Sequence, residues 1–391
     1  VTPPAFLLQP EVGAVLRALP GARAVGGAVR DHLAGRPIHD VDVAAPFPPE
    51  EIGARLKEAG LKVFETGLAH GTLTAVLAGR PVEVTALRRD VATDGRHAEV
   101  EWTTDWAEDA ARRDFTINAM SMEPDGTLHD LFGGVADLRA GRVRFVGDAA
   151  TRLREDYLRA LRFFRFQARY GVGEPDPAAV SAIAEAVPGL GRLSAERVWA
   201  EIKRILEAPD PVASLRLMDS TGVLPAVLPE GAEIDALARL VAAGAGDAVL
   251  RFGALLRRDA PLAPVANRLK LSGAERDRLL EMRQAGPPAG LGGGELLWLV
   301  ADAGRDAMTD RAWIAEARDG DDRAALRGRI VSLPVPAFPL GGQDALEAGL
   351  TGPRIGAVLA ELRRGFYREG GTASRQECLH RLRELAKAAP G

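Results

Sequence analysis

A single cysteine, Cys378, stands in 391 residues. That scarcity excludes an internal disulfide and any zinc site built on several thiolates, and it makes a reducing, cytoplasmic setting the expected one. No apolar run approaches the ~20 residues a membrane-crossing helix requires. The opening segment VTPPAFLLQP carries no basic stretch ahead of an apolar one, so no secretory signal is read there. Aromatic residues are few, and with frequent Ala, Arg and Gly they reflect composition bias rather than function. The six histidines are scattered, with no His-Asp dyad of the kind a phosphohydrolase uses, and read as structural or surface residues. Excess positive charge is missing too: the net charge is −4. Its distribution matters more. Arginines recur at 139, 142, 144, 152, 154, 159, 162, 165 and 169 with few acids among them, and local clustering rather than the total steers a polyanion.

What is present divides the chain in two styles. ARAVGG, DVDVA, LKVFET, GTLTAVLA and PVEVTAL are rich in β-branched residues and bounded by Gly or Pro, as short strands are. Between them 27–35 and 48–59 read as helices, giving an α/β unit that ends near residue 145. From Asp148 onward the pattern is almost wholly helical, with segments at 148–170, 177–187, 194–207 and 211–221 broken by GVGEPDP, VPGLGRL and APDP. Residues 231–391 continue in the same style, interrupted at LPVPAFPLGG. No internal repeat of fixed period is visible.

The chemistry concentrates in AVGGAVRDHLAGRPIHDVDVA, residues 24–44. Asp40 and Asp42 stand two apart on a predicted strand, so both carboxylates face one way while Val41 and Val43 face the core. Paired carboxylates repel unless a cation lies between them, and hard oxygen ligands of this kind suit Mg²⁺. Gly26 and Gly27 remove side chains where backbone must approach a partner closely, and their N–H groups open onto a helix start suited to a triphosphate. Arg30, one turn on, can add a bidentate phosphate contact. The competing reading is a plain surface turn followed by an acidic strand end. The spacing on a strand–helix–strand frame favours a metal–nucleotide site for phosphoryl or nucleotidyl transfer.

At these residues the chain resembles the DNA polymerase β-like nucleotidyltransferase superfamily. More narrowly, GGAVRD with DVD is similar to class II tRNA nucleotidyltransferases and bacterial poly(A) polymerases. RRDFTINAM (112–120), DLFGGVADLRAGRVRFVGD (130–148), EDYLRALRFFRF (155–166) and SAERVWAEIKRIL (194–206) match that family's further motifs in order. The resemblance is strong over about 20–206 and weaker beyond, where FPLGGQDALEAGLTGPRIGAVLAELRR resembles a C-terminal segment of some tRNA nucleotidyltransferases. It implies an α+β fold: an N-terminal nucleotidyltransferase head with a small mixed sheet (1–147), a helical neck that reads the base and binds RNA (148–208), and a helical body and tail that bind tRNA (209–391).

The resemblance also implies roles. Asp40 and Asp42 hold two Mg²⁺ ions, and Arg113 and Asp114 contact the ribose and triphosphate; an arginine-rich loop capped by Asp114 is the alternative. On EDYLRALRFFRFQARY, Tyr157, Leu161, Phe164 and Ala168 form one helix stripe expected in the core. Glu155, Asp156, Arg159, Arg162, Arg165 and Arg169 lie opposite or on the flanks, which unaided reads as a solvated ion-pair face. The pairing edges of cytosine and adenine both offer an amino donor beside a ring-nitrogen acceptor, and guanine and uracil offer the reverse. One Asp acceptor with one Arg donor can therefore accept C and A. The family likeness carries that role to Asp156 and Arg159, with Arg162 and Arg165 also at the nucleotide. Glu83 is either a third acidic group near the cations or a solvent-facing strand residue. Residues 88–98 read as a mobile loop over the site.

The implied activity is untemplated addition of C and A to the tRNA 3′ end from CTP and ATP, with no membrane partner. Poly(A) polymerase is the near rival, but the basic Gly-Arg-Arg-Phe-like patch that would mark it is replaced here by FETGLAHGTLTAV. Partial CC-adding or A-adding activity shares the same core motifs. An inactive RNA-binding module has no need of paired carboxylates, and an enzyme that nucleotidylates small molecules or proteins has no need of the arginine helix.

Overall fold

The five strand-like segments pair into one mixed sheet, in which Thr72–Leu77 and Arg80–Ala86 alternate buried apolar residues with more exposed ones. The computed structural model describes residues 3–67, 71–93 and 98–388 and consists of two compact units, Val1–Pro229 and Glu230–Gly391. In the first, helix α1 (Pro10–Ala18) precedes β1 (Arg23–Val25), α2 (Gly27–Leu33), β2 (Asp42–Ala45) and α3 (Pro49–Glu58). Strands β3 (Lys62–Gly67), β4 (Thr72–Leu77), β5 (Arg80–Ala86), β6 (Arg88–Thr93) and β7 (Ala98–Trp102) follow. After α4 (Trp106–Ala111) come the short strands β8 (Ser121–Met122) and β9 (Leu128–His129). The sheet order is β3-β4-β5-β2-β1-β8-β9, with β2 and β5 parallel and the other neighbours antiparallel. Val43, Leu73, Ala75, Val82 and Val84 are buried on one face, against Val15 and Leu16 of α1, Val29 of α2 and Ile52 and Leu56 of α3. The opposite face carries Asp42, Glu83, Thr72 and Thr85, which is where the site forms. The expected α+β architecture is the observed one.

The remaining helices of this unit are α5 (Gly134–Arg139), α6 (Ala149–Glu155), α7 (Leu158–Tyr170), α8 (Pro177–Ala186), α9 (Ala195–Leu206), α10 (Val212–Ser220) and α11 (Val223–Val227). The helix read over 148–170 is in fact two. Asp156 is extended (φ −156°, ψ 107°), and its Oδ1 accepts the Leu158 N–H at 3.0 Å. A short acidic side chain that bonds backbone two residues on favours such a break. Tyr157 and Ala168 of the expected stripe are only half-buried, whereas Leu161 and Phe164 are fully buried together with Phe163 and Phe166. Tyr157 instead covers Gly189, where a Cβ would lie 2.1 Å from the ring.

The segment 88–98 also departs from expectation: β6 and β7 form a separate antiparallel pair with Arg88 opposite Trp102 and Arg89 opposite Glu101. A ladder held by backbone bonds and by the Arg89–Glu101 ion pair at 2.8 Å needs no apolar alternation, which is why periodicity did not reveal it. Residues 94–97 of that loop, His97 included, and His70 lie outside the described residues. His32 packs tilted against Phe6, while His129 and His380 pair with Glu123 and Glu384.

The second unit is all helical: α12 (Ile234–Ala242), α13 (Ala248–Leu255), α14 (Leu262–Arg268), α15 (Gly273–Met282), α16 (Gly293–Ala303), α17 (Arg305–Asp319), α18 (Ala324–Ser332), α19 (Gly342–Glu347), α20 (Pro353–Arg368) and α21 (Arg375–Ala388). Leu240, Leu250, Met282 and Ile314 centre one core, and Phe366, Tyr367, Cys378 and Leu382 centre another. Among the described residues no helix is long and apolar enough to cross a membrane.

In the first unit, four phenylalanines join the sheet-bearing part to α7. Phe115 lies 4.9 Å from Phe145 and 5.1 Å from Phe166, and Phe145 lies 6.1 Å from Phe163. All but Phe166 are completely buried. Phe115→Ala should therefore cost about 3–5 kcal/mol, the transfer and cavity cost of a buried ring. Urea unfolding of the variant should show a midpoint lowered to match.

Candidate active site

On the exposed sheet face and against α7 and α9 lies a cleft of about 650 Å³. Gly26, Gly27, Arg30, Asp42, Arg113, Asp114, Asp156, Arg159, Arg162 and Arg165 all line it, and so does Glu83. Asp40 alone of the expected residues does not. It precedes β2 in irregular backbone, so the strand frame begins only at Asp42, although the alternation holds: Asp40 and Asp42 are exposed while Val41 and Val43 are buried. The Asp42 carboxyl titrates above the usual carboxylate range. Partial desolvation by the surrounding cleft is the main cause, then the charges of Glu83 and, more weakly, Asp40, with Arg113 opposing.

This donor set fits a divalent cation. Crowded hard oxygens gain from a cation between them, and among the described residues no three or more His, Cys, Asp or Glu close into a complete cage. An ion held by few carboxylates completes its shell with phosphate oxygens and water, as Mg²⁺ does.

Sequence dictates the rest of the cleft locally. Gly26 has φ +64°, a backbone conformation that favours glycine, and a Cβ there would crowd Arg113 Nη1 at 3.2 Å. Arg30, expected to offer its fork to a phosphate, already spends it on Asp31, with Nε and Nη2 each donating at 3.0 Å. Its Nη1 donates to Asn118 Oδ1 at 2.6 Å, and Tyr170 covers its face at 4.5 Å. Asn118 Nδ2 in turn donates to Asp114 Oδ1 at 3.0 Å. Asp114 also accepts the Phe115 N–H at 2.8 Å, and Arg162 Nε donates to its other oxygen at 2.8 Å. Asp114 is thus the buried anchor of Arg162. Burial works to raise its carboxyl, but Arg162 and these hydrogen bonds prevail and hold it below the usual range. Arg113 is braced by Asp109, which also holds Arg112.

Asp156 and Arg159 are not paired with each other. Asp156 Oδ2 accepts from Arg197 Nη2 at 2.6 Å, while Arg159 bonds Glu155 and the carbonyls of Arg152 and Arg112. Arg165 lies 2.9 Å from Glu201, out of line for a hydrogen bond. Burial lowers its guanidinium to about 10, against the pull of Glu201. The arginine run therefore has few acids in sequence but several in space: Asp137 faces Arg142 and Arg144, Glu155 holds Arg152 and Arg159, Asp114 holds Arg162, and Glu201 faces Arg165. Asn118, Arg112, Arg197, Arg204, Thr72 and Thr85 also line the cleft and were not singled out from sequence. Asn118 and the two α9 arginines stand inside the quoted motifs, which was the available signal; the threonines carried none.

A nucleotide-sized cleft with clustered carboxylates at one end and arginines along a helix defines a nucleotidyltransferase. Residues 22–144 match the family model "Poly A polymerase head domain", and residues 174–234 match "Probable RNA and SrmB- binding site of polymerase A". Over 92% of this chain and 86% of the relative, the sequence is 36% identical to CCA tRNA nucleotidyltransferase 1, mitochondrial, of Danio rerio. It is 33% identical to the CCA-adding enzyme of Lacticaseibacillus paracasei over 86% of each chain. The crystal structure of the Bacillus stearothermophilus CCA-adding enzyme in complex with CTP matches with TM-score 0.81 and 29% identity, covering 97% of this chain and 98% of that one. The chain belongs to the CCA tRNA nucleotidyltransferase family.

Asp109 is buried beneath Arg112 and Arg113. Burial opposes its ionisation, but the two arginines prevail and depress its carboxyl. A depressed carboxyl contributes stability above the unfolded value near pH 4, and this is lost as pH falls through the folded one. Asp109→Asn should therefore lower stability by about 3 kcal/mol at neutral pH. The gap to the wild type should narrow only below about pH 4. Denaturant titrations at pH 7 and on acidification measure both.

Proposed function

We propose that this chain adds C and A to the 3′ end of tRNA without a nucleic-acid template, using CTP and ATP and releasing pyrophosphate. The observation that carries this is one cleft holding both the Asp42–Glu83 carboxylate end and the Asp156, Arg159 and Arg162 end. Residues 1–147 act as catalytic head, 148–208 as the neck that reads the base, and 209–391 as tRNA-binding body and tail. Asp40 and Asp42 would hold Mg²⁺, which when bound activates the tRNA 3′-hydroxyl and offsets charge on the triphosphate. The Gly26–Gly27 turn and Arg113 receive the triphosphate. Asp114 acts by holding Arg162 rather than by touching the nucleotide, and Arg30 acts by bracing Asn118.

Asp156 and Arg159 face the pairing edge of the incoming base. Asp156 accepts from the amino group of C or A, and Arg159 donates to the neighbouring ring nitrogen. For this, Arg197 must share Asp156 Oδ2 or yield it. Incubating the protein with tRNA that lacks CCA and each labelled nucleotide in turn tests the function. Addition of two C and one A supports it. Runs of A alone would indicate poly(A) polymerase, and arrest after CC a partial enzyme.

Asp42→Ala and Asp40→Ala should each abolish addition while circular dichroism and tRNA binding stay near wild type, because both side chains are exposed and neither supports the core. Full activity in either variant would remove the metal assignment.

Asp156→Ala deletes the acceptor and leaves a donor that tolerates the carbonyls of U and G. A hydrogen bond in a desolvated site is worth ~1–3 kcal/mol, so discrimination against UTP and GTP should fall by roughly one to two orders of magnitude. Single-turnover addition of all four nucleotides reads this. An equal loss for all four would mean that Asp156 only shapes the break between α6 and α7.

A further inference from the structure

Beside the carboxylates the exposed sheet face continues through residues given no part in the proposed nucleotide site. Thr72 on β4 stands opposite Thr85 on β5, their hydroxyls 3.2 Å apart, and both line the cleft with Asp42 and Glu83. Thr74 stands opposite Glu83 and, on its other side, opposite Phe64 of the edge strand β3. Residues directly opposite in antiparallel strands share a face. The face therefore runs from Glu83 over Thr74 to Phe64, a residue that is 53% exposed, with the hydroxyl pair on the neighbouring rung.

In-line transfer puts the attacking oxygen and the leaving pyrophosphate on opposite sides of the phosphorus. Strand order divides the sheet in the same way. From Asp42 on β2, the glycine turn and Arg113 lie toward β1, and Glu83 and the threonines lie toward β5 and β4. If the triphosphate occupies the first side, the attacking strand must arrive over the second. We infer that the Thr72–Thr85 hydroxyl pair and Phe64 form the track for the single-stranded 3′ end of the acceptor RNA, the hydroxyls binding the terminal ribose and Phe64 stacking on an upstream base. A hydroxyl pair can both donate to and accept from a ribose 2′-OH, and an exposed aromatic ring stacks on any base. This rests on the proposed function and adds to it the seat of the second substrate.

The test compares tRNA lacking CCA with the same tRNA ending in a 2′-deoxyribose, for the wild type, Thr85→Val, Thr72→Val, Thr85→Ser and Phe64→Ala. Wild-type addition from CTP should be about tenfold poorer on the deoxy end. Either valine variant should raise KM for tRNA by about tenfold, leave KM for CTP unchanged and abolish the deoxy penalty, while Thr85→Ser retains it. Phe64→Ala, at an exposed site that leaves folding intact, should raise KM for tRNA by a similar factor. Valine variants that keep the full deoxy penalty, or that raise KM for CTP instead, overturn the track. Failure of the wild type to extend either acceptor overturns the function itself, so the two failures are distinguishable.

Discussion

Asp114 is a carboxylate buried among polar groups that all point at it, and the cleft depends on that arrangement. Its two oxygens receive Arg162, Asn118 and the Phe115 N–H. Asn118 passes the constraint to Arg30, which is clamped by Asp31 under Tyr170. One chain of hydrogen bonds thus joins the helix after the glycine turn to the arginine-bearing face of α7. A buried charge left without its partners costs several kcal/mol, so every member of the chain holds the others in place. The phenylalanines around Phe115 supply the apolar half of the same junction.

An acidic protein can present a cationic cleft because its arginines are held rather than numerous. Each guanidinium on α7 that lines the cleft is oriented by an acid from another turn or helix: Glu155 for Arg159, Asp114 for Arg162 and Glu201 for Arg165. These pairs lower the net field but fix the remaining donors, and orientation in place before the substrate arrives is what polyanion chemistry rewards. Arg165, pushed down to about 10 by burial, still carries its charge at neutral pH.

Much of this was legible in the sequence, for a physical reason. Local rules of strand alternation and glycine turns act over a few residues, so β1 to β5, α2 and α3 could be read directly, and ten of the eleven expected site residues line one cleft. The failures are long-range. Nothing local signals that Asp114 will hold Arg162 or that Glu201 will face Arg165, because those partners meet only after folding. The break at Asp156 was hidden by a periodicity that continues across it, and only the side-chain bond to Leu158 N interrupts the helix. The β6–β7 pair was invisible because backbone bonds and exposed ion pairs leave no apolar pattern. The threonines were unreadable because a half-buried Thr in a strand is ordinary until the opposing strand brings a second one to it.

The sheet and α7 divide the chemistry between them. One sheet face is spent wholly on the core, which frees the other to carry charges and hydroxyls without loss of stability. Strand order spreads these groups in a line, the glycine turn on one side of Asp42 and Glu83 with the threonines on the other. Under the proposed function, choice of base falls to Asp156 and to Arg159 of α7, away from the sheet, and so can be strict without disturbing the line of reaction. The two meet through Asp114, where a residue of the sheet-bearing part grips an arginine of the helix. Under the proposed function, a base edge accepted at Asp156 and Arg159 is thereby referred to the frame that holds Asn118, Arg30 and the helix after the glycine turn. On that reading the buried Asp114–Arg162 bond fixes the arginine face against the glycine turn, and protein side chains alone can relate selection to transfer.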